Sequence, residues 1–237
     1  MLRYLIGLIL SVSLISCEYN KAVENNTIAM DMIHRNRPED ALKKLNTAIR
    51  LAPDYLPAYY NRAIVLANLK NPQQALVDID YVISSDPKCA IAYFNRGVIY
   101  ENLRQERKAL QDYSQAINLE PTLVNAYHYR GIVRYGMQDM DGALEDYNQA
   151  ILHGLESSAL YFNRGVILLQ KERFDEAIGN FSQSIRIDPS NPKGYYHRAL
   201  SHLKTDNPQK ALEDLEIAKR LGFQKAGEMI EKYFQQE

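Results

Sequence analysis

Five short stretches decide the fold: Tyr60-Asn61-Arg62-Ala63, Phe94-Asn95-Arg96-Gly97, His128-Tyr129-Arg130-Gly131, Phe162-Asn163-Arg164-Gly165 and Tyr196-His197-Arg198-Ala199. They align without a gap, and their arginines stand 34 residues apart. An alanine keeps the same beat at 41, 75, 109, 143, 177 and 211. Coincidence at one period over most of the length means a chain made of copies of one small unit. Such a unit cannot cover its own apolar face alone, so the copies must stack.

Outward from these stretches, each period holds two amphipathic segments separated by turn residues. In 90–123 the first segment, helix A, carries Tyr93, Gly97 and Tyr100 at i, i+4 and i+7. The second, helix B, carries Ala109, Tyr113 and Ala116 at the same spacing, and Pro121 closes the unit. This is the periodicity of one helical face. Small residues at Gly97 and Ala109 let two antiparallel helices approach, with aromatic rings filling the space beside them. Asn71-Pro72, Asn191-Pro192 and Asn207-Pro208 predict helix starts capped by an amide, with proline in the first turn. Within 124–157, Gly136 and Gly142 are expected to soften the helices, either as a hinge or as neutral drift.

The unit is similar to the tetratricopeptide repeat, since Tyr93, Gly97, Tyr100, Ala109, Tyr113, Ala116 and Pro121 fall on that family's aromatic, small and proline places. Tyr stands for its first Trp and Arg for its Leu. Counted from Ala22, six repeats fit: 22–55, 56–89, 90–123, 124–157, 158–191 and 192–225. The first is the weakest, with Asn25 at the first aromatic place. Residues 226–237 read as a capping helix with Ala226, Ile230, Tyr233 and Phe234 on one face. The resemblance implies an all-α, right-handed superhelical solenoid of antiparallel helix pairs.

Chemistry has little visible home in this chain. Lys and Arg total 28 against 29 Asp and Glu, so no basic field marks a nucleic-acid partner. The five histidines have no metal-ligand spacing, and no nucleophile elbow, phosphate loop or paired-carboxylate motif is present. The expectation is a protein that is not an enzyme and takes no metal or dissociable cofactor. Arg62, Arg96, Arg130 and Arg198 are each followed 16 residues later by Asp78, Asp112, Asp146 and Asp214, and Arg164 by Asn180. That fixed offset predicts a structural ladder between helices A and B.

The first residues carry a different signal. Met1 to Cys17 give one cation, Arg3, an apolar run from Tyr4 to Ile15, and small Ser16 before Cys17. The run is short of the roughly 20 apolar residues a spanning helix takes and reads as an export signal. Leu14-Ile15-Ser16-Cys17 resembles the lipobox of bacterial lipoproteins. That resemblance implies a signal peptide over 1–16, a covalent lipid (diacylglycerol plus a palmitate-type acyl chain) on Cys17, and a spacer over 17–21. Cys89 is then a lone thiol.

In the tetratricopeptide family helix A builds the concave wall. There the fifth and sixth places offer Tyr60, Asn61, Phe94, Asn95, Tyr129, Phe162, Asn163, Tyr196 and His197 as candidate peptide-binding residues. The ninth place is aliphatic: Ile64, Val98, Ile132, Val166 and Leu200. An amide row can hold an extended backbone of any sequence, beside pockets for side chains. The alternative is that these side chains pack between neighbouring A helices, and both readings stand at this point. The expected function is a lipid-anchored envelope scaffold that holds another protein or a peptide segment. It would sit on the outer membrane facing the periplasm, with the plasma membrane or cell surface as alternatives. The rival is a structural protein that self-associates into homo-oligomers.

Overall fold

In each repeat, counted so that its first residue is place 1, place 8 and place 24 are matched in size. Ala29, Ala63 and Ala199 face aliphatic Leu45, Ile79 and Leu215, whereas Gly97, Gly131 and Gly165 face aromatic Tyr113, Tyr147 and Phe181. The computed structural model shows why. A Cβ at Gly97, Gly131 or Gly165 would stand 2.7, 2.6 or 2.7 Å from the facing ring, so the larger ring fits only where the methyl is missing. All six residues at place 24 are fully buried. Each contributes about 1.5–3 kcal/mol of burial.

The structure describes residues 2–234, with side chains from Ser16 onward. Among these residues there are thirteen helices: α1 (Leu2–His34), α2 (Pro38–Leu51), α3 (Leu56–Asn68), α4 (Pro72–Ser85), α5 (Ala90–Asn102), α6 (Glu106–Leu119), α7 (Val124–Gly136), α8 (Met140–Leu152), α9 (Ser158–Gln170), α10 (Phe174–Ile187), α11 (Pro192–Lys204), α12 (Pro208–Arg220) and α13 (Gln224–Phe234). They form two compact units that divide between Leu123 and Val124, at a repeat boundary. In the first unit α1 packs on α2, α3 on α4 and α5 on α6, with α2–α3 and α4–α5 contacts joining the pairs. In the second, α7–α8, α9–α10 and α11–α12 pair in the same way, and α13 lies on α12. Odd-numbered helices to α11 are the A helices, and even-numbered ones the B helices.

The A-to-B turns hide from a glycine search. Asn36, Lys70, Arg104, Gln138, Glu172 and Asp206, all at place 15, take positive φ of 56–66° with no glycine among them. The next residue's N–H then reaches back to the carbonyl five earlier, as in Asn71 N to Leu66 O at 2.8 Å. That closes the helix end. The B-to-A turns split into two kinds. Pro53, Pro87, Pro121 and Pro189 follow extended C-caps at Ala52, Asp86, Glu120 and Asp188, while repeats 124–157 and 192–225 turn on Gly154 and Gly222, at φ of 89° and 87°.

Some expectations change. Of the three predicted amide caps only Asn191 accepts a bond, from the Lys193 N–H at 3.1 Å. Asn71 instead donates to Gln74 and Asn207 to the Thr205 carbonyl, because the preceding left-handed residue turns each away from its helix start. Gly136 and Gly142 do not weaken helix interiors. Gly136 ends α7, and Gly142 lies in the first turn of α8, where its N–H is capped by Asp139 at 2.9 Å. The C-terminal helix begins at Gln224. It buries Ala226 and Ile230 against Leu215 and Ala218, with Met229 and Phe234 beside them, but Tyr233 remains 56% exposed. Residues 235–237 lie outside the described residues.

At the other end α1 runs through residues 17–21, the expected spacer, without a break, and Ser16 to Lys21 are all exposed. The expected signal peptide lies almost wholly where side chains are not described. Among the described residues no helix is long and apolar enough to cross a membrane.

Candidate binding groove

The repeated arginine is occupied within the fold. Arg62 makes two bonds of 2.7 Å to Asp78, Arg96 two of 2.8 Å to Asp112, and Arg198 bonds of 2.8 and 2.7 Å to Asp214. Arg130 pairs with Asp146, which also takes Arg134 at 3.0 Å. Four guanidinium groups are also pulled a second way, toward the preceding B helix: Arg62 to Asn46, Arg96 to Asp80, Arg164 to Asn148 and Arg198 to Ser182. The 16-residue offset predicted the first partner and missed the second, although place 25 is polar in each of these repeats. One rung differs in charge. Hydrogen bonds to Asp78, Asp112 and Asp214 raise the pKa of Arg62, Arg96 and Arg198, while burial beside neutral Asn180 lowers that of Arg164.

The candidate row at places 5 and 6 is also built into a lattice. Place 6 of one A helix meets place 5 of the A helix before it. In the first unit the Asn61 amide donates to Asn26 Oδ1 at 2.9 Å, both residues being buried, so Asn61 is spent on packing. Asn95 donates to the Tyr60 hydroxyl and to the Ile91 carbonyl, each at 2.8 Å. Burial raises the Tyr60 pKa, which keeps the phenol neutral. Phe94 lies on Tyr113, ring centroids 5.8 Å apart.

In the second unit Phe162 packs on Phe181 at 5.8 Å and meets the His197 ring edge-on at 5.0 Å. His197 Nδ1 lies 2.9 Å from the Lys193 carbonyl. Burial lowers its pKa against a smaller opposing effect of that carbonyl. Tyr196 packs at a tilt against Phe223 at 4.9 Å, and Tyr129 meets the His128 ring at 5.7 Å. Asn163 faces the hydroxyl of Tyr147.

All the candidates except Asn61 are half-buried, as is the aliphatic row Ile64, Val98, Ile132, Val166 and Leu200. Two clefts open on this wall in the first unit. One, of ≈ 90 Å³, is lined by Asn95 with Ile64 and Val98. The other, of ≈ 230 Å³ and mostly apolar, is lined by Tyr60, Leu56, Val82, Ile91 and Cys89. Thus the amide ladder expected from sequence is partly a helix-to-helix device, and the accessible surface is aromatic and aliphatic. Among the described residues no cluster of His, Cys, Asp and Glu could hold a metal ion.

Family models for the tetratricopeptide repeat match residues 29–80 and 90–123, and a model described as TPR repeat matches 165–206. No curated protein matches the sequence. Among solved structures, Pseudomonas aeruginosa PilF superposes with a TM-score of 0.81 at 16% identity, over 90% of this chain and 99% of that one. YrrB, described as a TPR protein with an unusual peptide-binding site, gives 0.69 at 21% identity over 79% and 97%. MamA gives 0.64 at 16% identity over 77% and 96%. At these identities the likeness is one of fold. With the repeat models matching across both units and helix pairs in every period, this chain belongs to the tetratricopeptide repeat family.

Proposed function

We propose that this protein is a lipid-anchored envelope adaptor that holds a mainly uncharged segment of another polypeptide along its A-helix wall. The observation that carries the reading is the half-buried aliphatic row at place 9, flanked by aromatic rings at place 5. Apolar groups left half in water on the A helices of each unit gain from a partner that covers them. The arginines cannot serve a charged ligand there, since each is already engaged with the B helices. YrrB's described peptide-binding site lends the fold a precedent for this use.

Tethering comes from Cys17, exposed on α1 ahead of the first repeat. A lipid there confines the wall to a membrane surface, the outer membrane facing the periplasm on our reading. Confinement raises the effective concentration of any co-resident partner, so a weak groove suffices. No catalytic step is assigned to the protein.

The test separates groove from tether. Envelope extracts are passed over wild-type protein and over the pair Val98→Glu with Val166→Glu, which puts charge on half-exposed positions and spares the buried lattice. A protein retained by the wild type and lost by the pair supports the groove. Retention by both places binding elsewhere, and recovery of the chain itself favours self-association. In cells fed a labelled fatty acid, Cys17→Ser must abolish incorporation, and persistence of label would remove the tether.

A further inference from the structure

Among the described residues of the second unit three buried polar atoms have no hydrogen-bond partner, and two of them, the Tyr147 hydroxyl and His128 Nε2, lie side by side while His202 Nδ1 stands on α11. Their rings lie 6.0 Å apart, and Asn163 approaches the hydroxyl from the next A helix closely enough to oppose the rise in its pKa, but short of a well-formed hydrogen bond. Leaving such atoms unmatched costs about 1–3 kcal/mol each. The fold does not need them. The next repeat fills the same two places with Phe162 and Phe181, at nearly the same ring separation of 5.8 Å. Where the first unit uses a tyrosine at this place, it supplies a partner, and Tyr113 donates to Glu101 at 2.8 Å. In the second unit the residue corresponding to Glu101 is Tyr135, whose own hydroxyl accepts from Gln170 at 3.0 Å.

One unmatched atom belongs to the wall, on His128 of α7, and the other lies directly behind it, on fully buried Tyr147 of α8. His128 is half-buried at place 5, with Tyr129 at its edge and half-buried Asn163 beside Tyr147. The chemistry on offer is neutral. Burial alone lowers the His128 pKa, and burial is the main cause that raises that of Tyr147. The cations nearby, Arg130 and Arg134, are drawn down onto Asp146, so an anion gains nothing here. A neutral histidine, a phenol and a carboxamide together offer donors and acceptors to one uncharged group with both functions, and an amide is that group.

We propose that His128, Tyr147 and Asn163 form a polar seat in the inner wall of the second unit that receives an amide, from backbone or from an Asn or Gln side chain, of the polypeptide bound there. Entry requires a covering side chain to move, since the two atoms are buried in the free protein. This inference rests on the groove reading above.

Probe peptides are first selected on full-length wild type from a random displayed library. Their binding is then measured for Tyr147→Phe, His128→Phe, Tyr113→Phe and Val166→Glu, with thermal unfolding of each free protein. Phe already occupies both seat positions in neighbouring repeats, so the first two variants fold. The expected result is binding about tenfold weaker for Tyr147→Phe and His128→Phe, with melting no lower than wild type. Tyr113→Phe should bind normally and melt lower. If the seat variants bind the peptides normally while Val166→Glu does not, the seat is wrong and the groove stands. Lower melting of Tyr147→Phe with normal binding means that an internal water holds the hydroxyl, which also overturns the seat. If no peptide is selected, or Val166→Glu binds as wild type does, groove and seat fall together.

Discussion

The two units contain three repeats each, and they differ in polar completion rather than in packing. In both, small place 8 receives large place 24 with the same close fit. In the first unit the rungs at Arg62 and Arg96 end on carboxylates, the Tyr113 hydroxyl is bonded, and all three repeats close on proline. In the second, one rung ends on Asn180, the Tyr147 hydroxyl, His128 Nε2 and His202 Nδ1 lack partners, against Gln105 Oε1 among the described residues of the first, and two repeats close on glycine. Steric fit is what makes a helix pair, so it is preserved wherever the pair recurs. Polar completion is a smaller contribution, and it can be given up locally where a ligand supplies the difference.

The largest effect that would sharpen this contrast comes from the rungs. Arg62→Met leaves Asp78, 3% exposed, as a buried carboxylate without its cation, and should cost about 3–5 kcal/mol. Arg164→Met leaves only the neutral amides of Asn148 and Asn180 and should cost about 1 kcal/mol. Chemical unfolding of both full-length variants checks the ratio. Equal losses would mean that the arginines act through packing of their stems and that the charge at place 23 is incidental.

The next effect tests what the units share. Gly131→Ala drives a methyl to 2.6 Å from the Tyr147 ring and should cost about 1–3 kcal/mol. Adding Tyr147→Leu should recover most of the loss, because Ala with Leu is the pair found at Ala29 with Leu45 and at Ala199 with Leu215. A double-mutant cycle by thermal unfolding measures the coupling. Without recovery, the size match between places 8 and 24 is a coincidence of six.

These two cases show how far the residues announce the structure. The 34-residue beat, the close approach at Gly97 and the Arg-to-Asp offset were legible because each is a covalent spacing read off the chain. The second arginine partner was not, since it joins one repeat to the B helix of the repeat before it, and that register belongs to the stack. The same limit left two readings of Asn61 and Asn95 open, as ligand contacts or as packing between A helices. An amide repeated along an inner wall looks free in sequence, and only the neighbouring helix shows that it is bonded to Asn26 or Tyr60. The six left-handed residues at place 15 were invisible for another reason. No glycine marks them, because hydrogen-bonded closure of the helix end outweighs the strain on an ordinary side chain. Likewise the unpartnered atoms of His128 and Tyr147 could not be foreseen, for burial without a partner is a property of packing and not of residue type.

The smallest effect should separate the units by pH. The first unit has one histidine, exposed His34, whereas the second holds His128, His197 and His202, whose pKa values are all lowered chiefly by burial. His202 also feels Asp214 and Glu213, which oppose the shift, and Arg198 and Lys210, which add to it. A folded-state value below the unfolded one, about 6.5, means the unfolded chain binds more protons across the interval between them. Stability of the second unit therefore rises with pH through that interval and is complete above about 6.5. Acidification across it should loosen the second unit while leaving the first, which holds no buried histidine among its described residues, as it was. Amide hydrogen exchange corrected for intrinsic rates reads this directly, comparing α9–α12 with α3–α6 on either side of the imidazole range. Parallel loss of protection in both units would mean that charge repulsion across the whole chain, and not the buried imidazoles, sets the response to acid. Loss confined to the second unit, and reduced by His197→Phe, would assign it to the lattice between A helices in which that ring is packed.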